Sequence, residues 1–305
     1  MNIILAGGSG FIGSSLAARL INEGSQVWVL SRNPDAHRLP AGVSGVRWDA
    51  ATAKGWGHLV EQADAIVNLT GENLAGGLWT KARKNRFLTS RVNAGLAIVE
   101  AVRNASRRPR VLLQSSGIGY YGNGGDQILR EDSPAGQDYM AQLCVQWEGS
   151  TLPLEELGVR RAVMRTSIVL ERDSIILKLF MLPFRIFVGG KIGTGKQWVS
   201  WIHLDDYIGA LLHLLQNESA RGAYNMVAPQ VPQNADFEKT IGKVLKRPYW
   251  FPTPAFALRA VLGDMSSMVL EGQRSSADKL INSGYKFKYP TLESALTAIL
   301  YSPGV

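Results

Sequence analysis

The sequence predicts an α/β protein, a doubly wound parallel sheet with a smaller mixed, mainly helical C-terminal lobe. Three observations predict it. Short apolar segments alternate with longer stretches of helical periodicity through the first two thirds of the chain, the order that builds a parallel sheet covered by helices. A glycine-spaced turn, Ala6-Gly7-Gly8-Ser9-Gly10-Phe11-Ile12-Gly13, joins the first such segment to the first helix. After Pro248, Pro252 and Pro254 the remaining segments carry helical patterns only.

The opening strand is Asn2-Ile3-Ile4-Leu5-Ala6, and the helix after the turn runs over about residues 11–23, with Leu16, Leu20 and Ile21 inward and Gly24 as its stop. Each glycine of the turn has its own task. Gly7 makes the tight bend, Gly10 lets backbone N–H groups approach a pyrophosphate, and Gly13 lets the helix pack closely on the strand. Phe11 and Ile12 open the helix, whose positive end would meet the phosphate. A second strand, Gln26-Val27-Trp28-Val29-Leu30, completes a βαβ unit of Rossmann type and marks a dinucleotide site. At its end, where an NAD site carries an acid for the ribose 2′-hydroxyl, stand Ser31 and Arg32. This pair suits a 2′-phosphate and points to NADP.

Residues 45–49 read as a third strand and 63–71 as a fourth, buried one, which places Asn68, Thr70 and Gly71 at the ligand end of the sheet. Helical periodicity over 78–103 puts Val92, Leu96, Val99 and Val102 on one face. The fifth strand, 111–116, opens into Gly117-Ile118-Gly119-Tyr120-Tyr121-Gly122, so Ser116, Tyr120 and Tyr121 are the candidate catalytic hydroxyls. Ser116 reads equally well as a plain strand-end hydroxyl. A helix over about 138–157 should kink or split at Pro153, and 160–170 forms a sixth strand. Further on come an apolar segment, 174–187, broken at Pro183, a glycine-lysine loop, 189–197, and a strand, 198–202. A helix to about Leu215, a strand over 223–227 and a helix over 237–245 follow. The C-terminal helices fall at 256–262, 275–283 and 292–301. The domain organisation expected is a nucleotide-binding domain over 1–230, with substrate-lobe segments from about 171, and a small helical domain over 248–301.

With 305 residues, 46% of them hydrophobic, the chain can bury a substantial core. No apolar run reaches the ~18 residues of a membrane span, and no charged, cleavable N-terminal segment is evident. The single cysteine, Cys144, excludes an intramolecular disulfide and a cysteine metal cage, which fits a reducing compartment and suggests the cytoplasm. The net charge of +8 is scattered, so it reads as solvated helix faces rather than a nucleic-acid surface, though it favours an anionic cofactor and substrate. Gly190 to Lys196 has the spacing of a P-loop, but Gln197 replaces the required hydroxyl and a strand follows. His203, Asp205 and Asp206 read as a helix start, the aspartates acting as N-cap, rather than as a metal site.

Taken together, GGSGFIG, SSGIGYYG, VMRTSIVL and WIHLDDYIGAL resemble the extended short-chain dehydrogenase/reductase superfamily, in its NAD-dependent epimerase/dehydratase group. The tail, with Pro254 through Met265, Gln273-Arg274 and Gly284-Tyr285-Lys286-Phe287, resembles the uncharacterised C-terminal domain of the YfcH-like epimerase family proteins. The resemblance implies a Tyr and a Lys four residues apart on one helix. With Glu148 set on the family's downstream Glu, Met140 and Cys144 stand there instead, and Tyr139 is about 100° out of register. In this branch Cys often holds the Lys place, an Arg the usual Asn place, here Arg91, and the upstream Ser is kept, here Ser116. Arg91 and Cys144 are thereby implied on the cofactor side, and Lys191 and Lys196 at the border of the substrate cleft. The implied function is an NADP-binding oxidoreductase or epimerase-like enzyme acting on a small polar molecule. The other reading is a non-catalytic NADP-binding sensor or interaction protein, kept open by the missing Tyr and Lys. Neither membrane nor nucleic acid is expected as a partner, and the oligomeric state stays open.

Overall fold

The computed structural model describes residues 1–36 and 39–301. The described strands, in chain order, are β1 (Asn2–Ala6), β2 (Gln26–Ser31), β3 (Ser44–Arg47), β4 (Ala65–Asn68), β5 (Val111–Gly117), β6 (Ile128–Leu129), β7 (Arg160–Thr166), β8 (Ile168–Leu170), β9 (Trp201–His203), β10 (Gly222–Met226) and β11 (Arg274–Ser275). The α-helices are α1 (Phe11–Asn22), α2 (Lys81–Asn104), α3 (Tyr139–Gly149), α4 (Pro153–Glu156), α5 (Ile175–Arg185), α6 (Leu204–Gln216), α7 (Asn234–Leu245), α8 (Ala255–Leu262), α9 (Ser267–Leu270), α10 (Asp278–Asn282) and α11 (Leu292–Tyr301).

Seven of these strands form a parallel sheet of Rossmann type in the order β10-β7-β5-β4-β1-β2-β3. Because both faces are covered, the central strands β1, β2 and β4 are largely apolar, and their period of two deals alternate residues to opposite layers. Ile3, Leu5, Val27, Val29 and Val67 meet α1 and α6 on one face, while Ile4, Ala6, Trp28, Leu30 and Ile66 meet α2 on the other. The winding reverses between β1 and β4, so their carboxyl ends bound the crevice where such sheets take ligands.

Several elements differ from the sequence expectation, each for a tertiary reason. The inward face of α2 is Ala94, Gly95, Ala97, Ile98, Ala101 and Val102, whereas Leu96 is 51% exposed and Val92 only half-buried. Small residues win because the helix lies close to its neighbours: a Cβ on Gly95 would collide with the Ser150 hydroxyl. The predicted sixth strand divides into β7 and β8 around Ser167, whose hydroxyl donates to the Met226 carbonyl at 2.6 Å. β8 then leaves the main sheet to pair with β9. Pro153 starts α4 after α3 has ended, but Pro183 sits inside α5 without breaking it. Burial of Leu177, Phe180, Met181 and Phe184 on that helix offsets the roughly 3 kcal/mol an interior proline costs. The 275–283 segment is helical only in α10, and its start, β11, pairs with β6.

The C-terminal lobe joins a third apolar cluster of Phe180, Phe184, Trp201, Phe237, Leu296 and Ile299, to which α5, α7 and α11 contribute. Asp206 secures the approach to it. That buried carboxylate accepts from the Tyr285 hydroxyl at 2.9 Å, the Lys288 N–H at 2.7 Å and the Tyr289 N–H at 2.8 Å. The N-cap of α6 is therefore not an aspartate. His203 fills that role, its Nδ1 accepting from the Asp205 N–H at 3.0 Å.

Candidate functional site

The turn after β1 is built for close approach. Gly7 has φ +79°, and a Cβ there would lie 2.9 Å from the Leu69 carbonyl carbon at the end of β4. At Gly13 a Cβ would come within 2.5 Å of the Gly7 oxygen, so this helix–strand contact admits only glycine. Gly10 is different: it is exposed, and among the described residues the only heavy atom within 4 Å of its Cβ position is the Gly7 oxygen at 3.4 Å. It caps α1 without a side-chain hydrogen bond, and no acid lies in the first turn. The first amides of the twelve-residue helix, at the exposed Phe11, the half-buried Ile12 and the buried Gly13, stand at its positive end.

Around this turn the strand ends carry polar atoms of two kinds. Asn68 is fully committed: its Nδ2 donates to Gln114 Oε1 at 3.0 Å and its Oδ1 accepts from the Thr70 N–H at 3.1 Å, so it holds β4 to β5. Ser31 shares a 3.3 Å hydroxyl contact with Ser9, and the exposed Arg32 makes no ion pair among the described residues. Thr70 Oγ1 and Arg91 Nε, in contrast, are buried without a hydrogen-bond partner. Arg91 donates to the carbonyls of Phe87 and Glu72 at 3.0 and 3.1 Å, stacks over Trp147 at 4.8 Å and has no carboxylate partner among the described residues. Gly71 makes room for it, since a Cβ there would sit 2.9 Å from the guanidinium carbon.

Beneath the end of β5 lies a charged network that sequence reasoning missed. Ser116 donates to Glu148 Oε1 at 2.7 Å, and Glu148 grips Arg165 through two bonds of 3.0 and 3.1 Å. Arg165 stacks on the Tyr120 ring at 3.4 Å and donates to the Tyr121 hydroxyl at 3.0 Å. That hydroxyl donates onward to Asn225 at 2.7 Å. Burial works against the Arg165 cation, but Glu148 outweighs it and holds the guanidinium charged. Burial also pushes the Tyr121 phenol up to about 12. With the residue 4% exposed and its hydroxyl tied on both sides, Tyr121 supports the network from within the core. The signal was present in the sequence as Arg165, an arginine next to the carboxyl end of the buried strand β7.

Met140 and Cys144 face the end of β5. A Cβ on Gly119 would lie 3.3 Å from Met140, and one on Gly117 would lie 3.8 Å from the Cys144 sulfur. Burial, reinforced by Glu148, pushes the thiol up to about 11, so Cys144 is neutral at physiological pH. Tyr139 turns aside, its hydroxyl donating to the Lys84 carbonyl at 2.8 Å and its ring 6.0 Å from Trp79.

A cavity of about 890 Å³ opens between the strand ends at 117–119 and 166–169, the aromatic wall of Trp79 and Tyr139, and the C-terminal segment 263–271. Of the residues singled out from the sequence as catalytic or cofactor-binding, only Phe11 lies on its lining, and Lys191 and Lys196 do not. Phe11, which opens the helix after the glycine turn, thus joins that turn to the cavity, and Ser116 and Tyr120 adjoin the wall residues Gly117, Ile118 and Gly119 without lining the cavity themselves. Segment 263–271 brings the C-terminal lobe to the cavity, although nothing in its composition distinguishes a wall from a surface loop.

Comparison with known proteins agrees with this geometry. A model of the NAD dependent epimerase/dehydratase family matches residues 3–148, and one of a domain of unknown function (DUF1731) matches 253–299. The chain is 34% identical over 304 residues to the epimerase family protein YfhF of Bacillus subtilis, covering 98% of both chains. It is also 34% identical to the chloroplastic SDR39U1 homolog of Arabidopsis thaliana, covering 98% of this chain and 87% of that one. Among solved structures, the human epimerase family protein SDR39U1 with NADPH superposes with a TM-score of 0.87 at 31% identity, over 99% of this chain and all of that one. With the glycine turn, the parallel sheet and the C-terminal segment each matched, the chain belongs to the NAD dependent epimerase/dehydratase family, in the branch of epimerase family proteins that carry this C-terminal domain.

Proposed function

We propose that the chain is an NADP(H)-dependent oxidoreductase whose substrate occupies the 890 Å³ cavity. The observation that carries this reading is the contrast at the strand ends: an uncapped helix N-terminus over an open Gly10, with buried, unpartnered Thr70 Oγ1 and Arg91 Nε beside it. Such groups suit a polar, anionic ligand that supplies the missing partners. The amides of Phe11, Ile12 and Gly13 would hold the pyrophosphate, and Ser31 with Arg32 the 2′-phosphate. The NADPH in the human relative's structure supports the same cofactor here. When bound, NADPH supplies a hydride.

The chain's own residues set the rest. Ser116 and Tyr120, which flank the 117–119 segment of the cavity wall, are the hydroxyls proposed to handle the proton, Ser116 oriented by Glu148 and Tyr120 lying against the Arg165 cation with its hydroxyl unpartnered among the described residues. Tyr121 is assigned to support. A non-catalytic NADP-binding protein is the second reading, favoured by Met140 and the neutral Cys144 facing β5. The two are separated by following NADPH absorbance with a panel of carbonyl compounds. Oxidoreductase activity should fall about 10²-fold or more in a Ser116→Ala, Tyr120→Phe double variant and by less than about twofold in Tyr139→Phe. NADPH binding without turnover of any compound establishes the second reading.

A further inference from the structure

The cavity's chemistry runs against the sugar nucleotides that are the ordinary expectation for this fold, and against the small polar substrate expected from the sequence. Its lining carries Trp79, Met140, Ile176, Phe180, Val269 and Leu270, from α3, α5, α9 and the loop before α2. The polar tips of its aromatic rings are turned into the protein. Trp79 Nε1 donates to the Leu74 carbonyl at 3.0 Å, Tyr139 to the Lys84 carbonyl at 2.8 Å and Trp198 Nε1 to Asp126 at 2.8 Å. What these side chains offer a ligand is ring surface.

Several of the amides and hydroxyls on the wall are spent in the same way, though the Ser174 and Ser266 hydroxyls are not. Gln197 Nε2 donates to the carbonyls of Ile192 and Val269 at 3.0 Å each, Gln273 Nε2 to the Gly122 carbonyl at 2.8 Å and the Ser200 hydroxyl to the Gln273 carbonyl at 2.7 Å. Lys84, Asp138 and Asp264 are engaged within the chain, whereas Arg259 and Glu271 carry no ion pair among the described residues. Lys84 pairs with Asp264 at 2.5 Å, and Asp138 caps α3 by accepting from the Ala141 N–H at 2.8 Å. Burial and Asp138 raise the pKa of Glu271, and Arg259 opposes them. A diphosphate needs several cations or amides, and sugar hydroxyls left unpaired in such a cavity would each lose their water without replacement.

We infer that the cavity takes an apolar, ring-bearing carbonyl compound, held by stacking and apolar contact, rather than a sugar nucleotide. The carbonyl rests on the oxidoreductase reading; the apolar body rests on the lining alone. The volume admits a fused aromatic ring system with room to spare, within the usual range of ligand pockets.

The test is isothermal titration calorimetry on the full chain with 2-naphthaldehyde and UDP-glucose as probes, with and without saturating NADP⁺, beside an NADPH titration. The aldehyde should bind at least about tenfold tighter than UDP-glucose, because only it exchanges water for apolar contact. Val269→Asp, on the C-terminal wall, should weaken the aldehyde at least about tenfold, and Val269→Leu should keep it within about twofold, with NADPH affinity unchanged in both. Ile176→Asp on the opposite wall repeats the measurement should the first variant lose its melting transition. UDP-glucose binding as tightly as the aldehyde, or aldehyde binding indifferent to both charged variants, overturns the inference. Aldehyde binding without any NADPH binding would remove the cofactor reading and leave this one standing.

Discussion

The two halves of the ligand-binding region treat their polar groups in opposite ways. Around the glycine turn, backbone amides, Thr70 Oγ1 and Arg91 Nε are left without partners inside the protein. Across the cavity, Gln197, Gln273, Ser200, Trp79 and Tyr139 are all bonded within the chain. A polar group left unsatisfied on folding is a cost that a ligand can relieve, whereas a satisfied one offers a ligand little. The first half is thus shaped for a fixed, charged partner, and the second for a partner chosen by shape and apolar surface.

The largest test concerns the network joining the halves. Glu148→Ala leaves the buried Arg165 without its counter-charge and should destabilise the fold by about 3–5 kcal/mol, measured by urea unfolding. A loss under about 1 kcal/mol would show that water reaches Arg165 and that the two halves are not joined through it.

Next come the two glycines of the turn, where the comparison can be broken within three residues. Gly10→Val should remove NADPH binding, a loss of about 10²-fold or more, with little change in melting temperature, because its side chain points into the ligand's space. Gly13→Val should instead destabilise the protein by about 1–3 kcal/mol, since backbone lies 2.5 Å from its Cβ position. Reversed outcomes would put the phosphate site elsewhere. A smaller effect is expected at Arg32: NADPH should bind about tenfold tighter than NADH, and Arg32→Ala should erase most of the difference, as a charge-assisted contact of ~1.5–3 kcal/mol requires. Equal affinities in the unaltered protein would show that the 2′-phosphate has no partner there.

The smallest effect is one of pH, on the cavity side. Glu238 is 2% exposed, and burial pushes its carboxyl up to about 8 against 4.5 when unfolded, with only a 3.5 Å contact to Asn234. A carboxyl whose pKa is raised by folding favours the folded state most when protonated. Its contribution is full below about pH 4.5 and is lost as pH rises towards 8. Glu238→Gln should therefore raise the melting temperature more at pH 8.5 than at pH 5, by a few degrees for each ~1 kcal/mol relieved. An equal shift at both values would mean that Glu238 is ionised in the folded protein across this range.

What could be read from the chain alone was what depends on local geometry. The tight turn at Gly7 and the close pack at Gly13 follow from glycine spacing, and the strands from apolar runs whose period needs no partner to be recognised. Pro153 as the point where a helix kinks or splits, and Ser31-Arg32 in place of an acid, are likewise positions in a local pattern. Tertiary structure decided the rest. Glu148 and Arg165 are 17 residues apart in the chain yet 3.0 Å apart in space, and their pairing exists only because α3 packs across β5 and β7. The inward face of α2 follows how closely its neighbours approach, which favoured alanine over Leu96. The character of the cavity depended most of all on the fold, because Trp79, Tyr139 and Gln197 are polar or amphipathic by composition. Only their partners, Leu74, Lys84, Ile192 and Val269, hide the polar tips and leave an apolar wall. A side chain's type says which bonds it can make, and only long-range packing settles which of those bonds are already made.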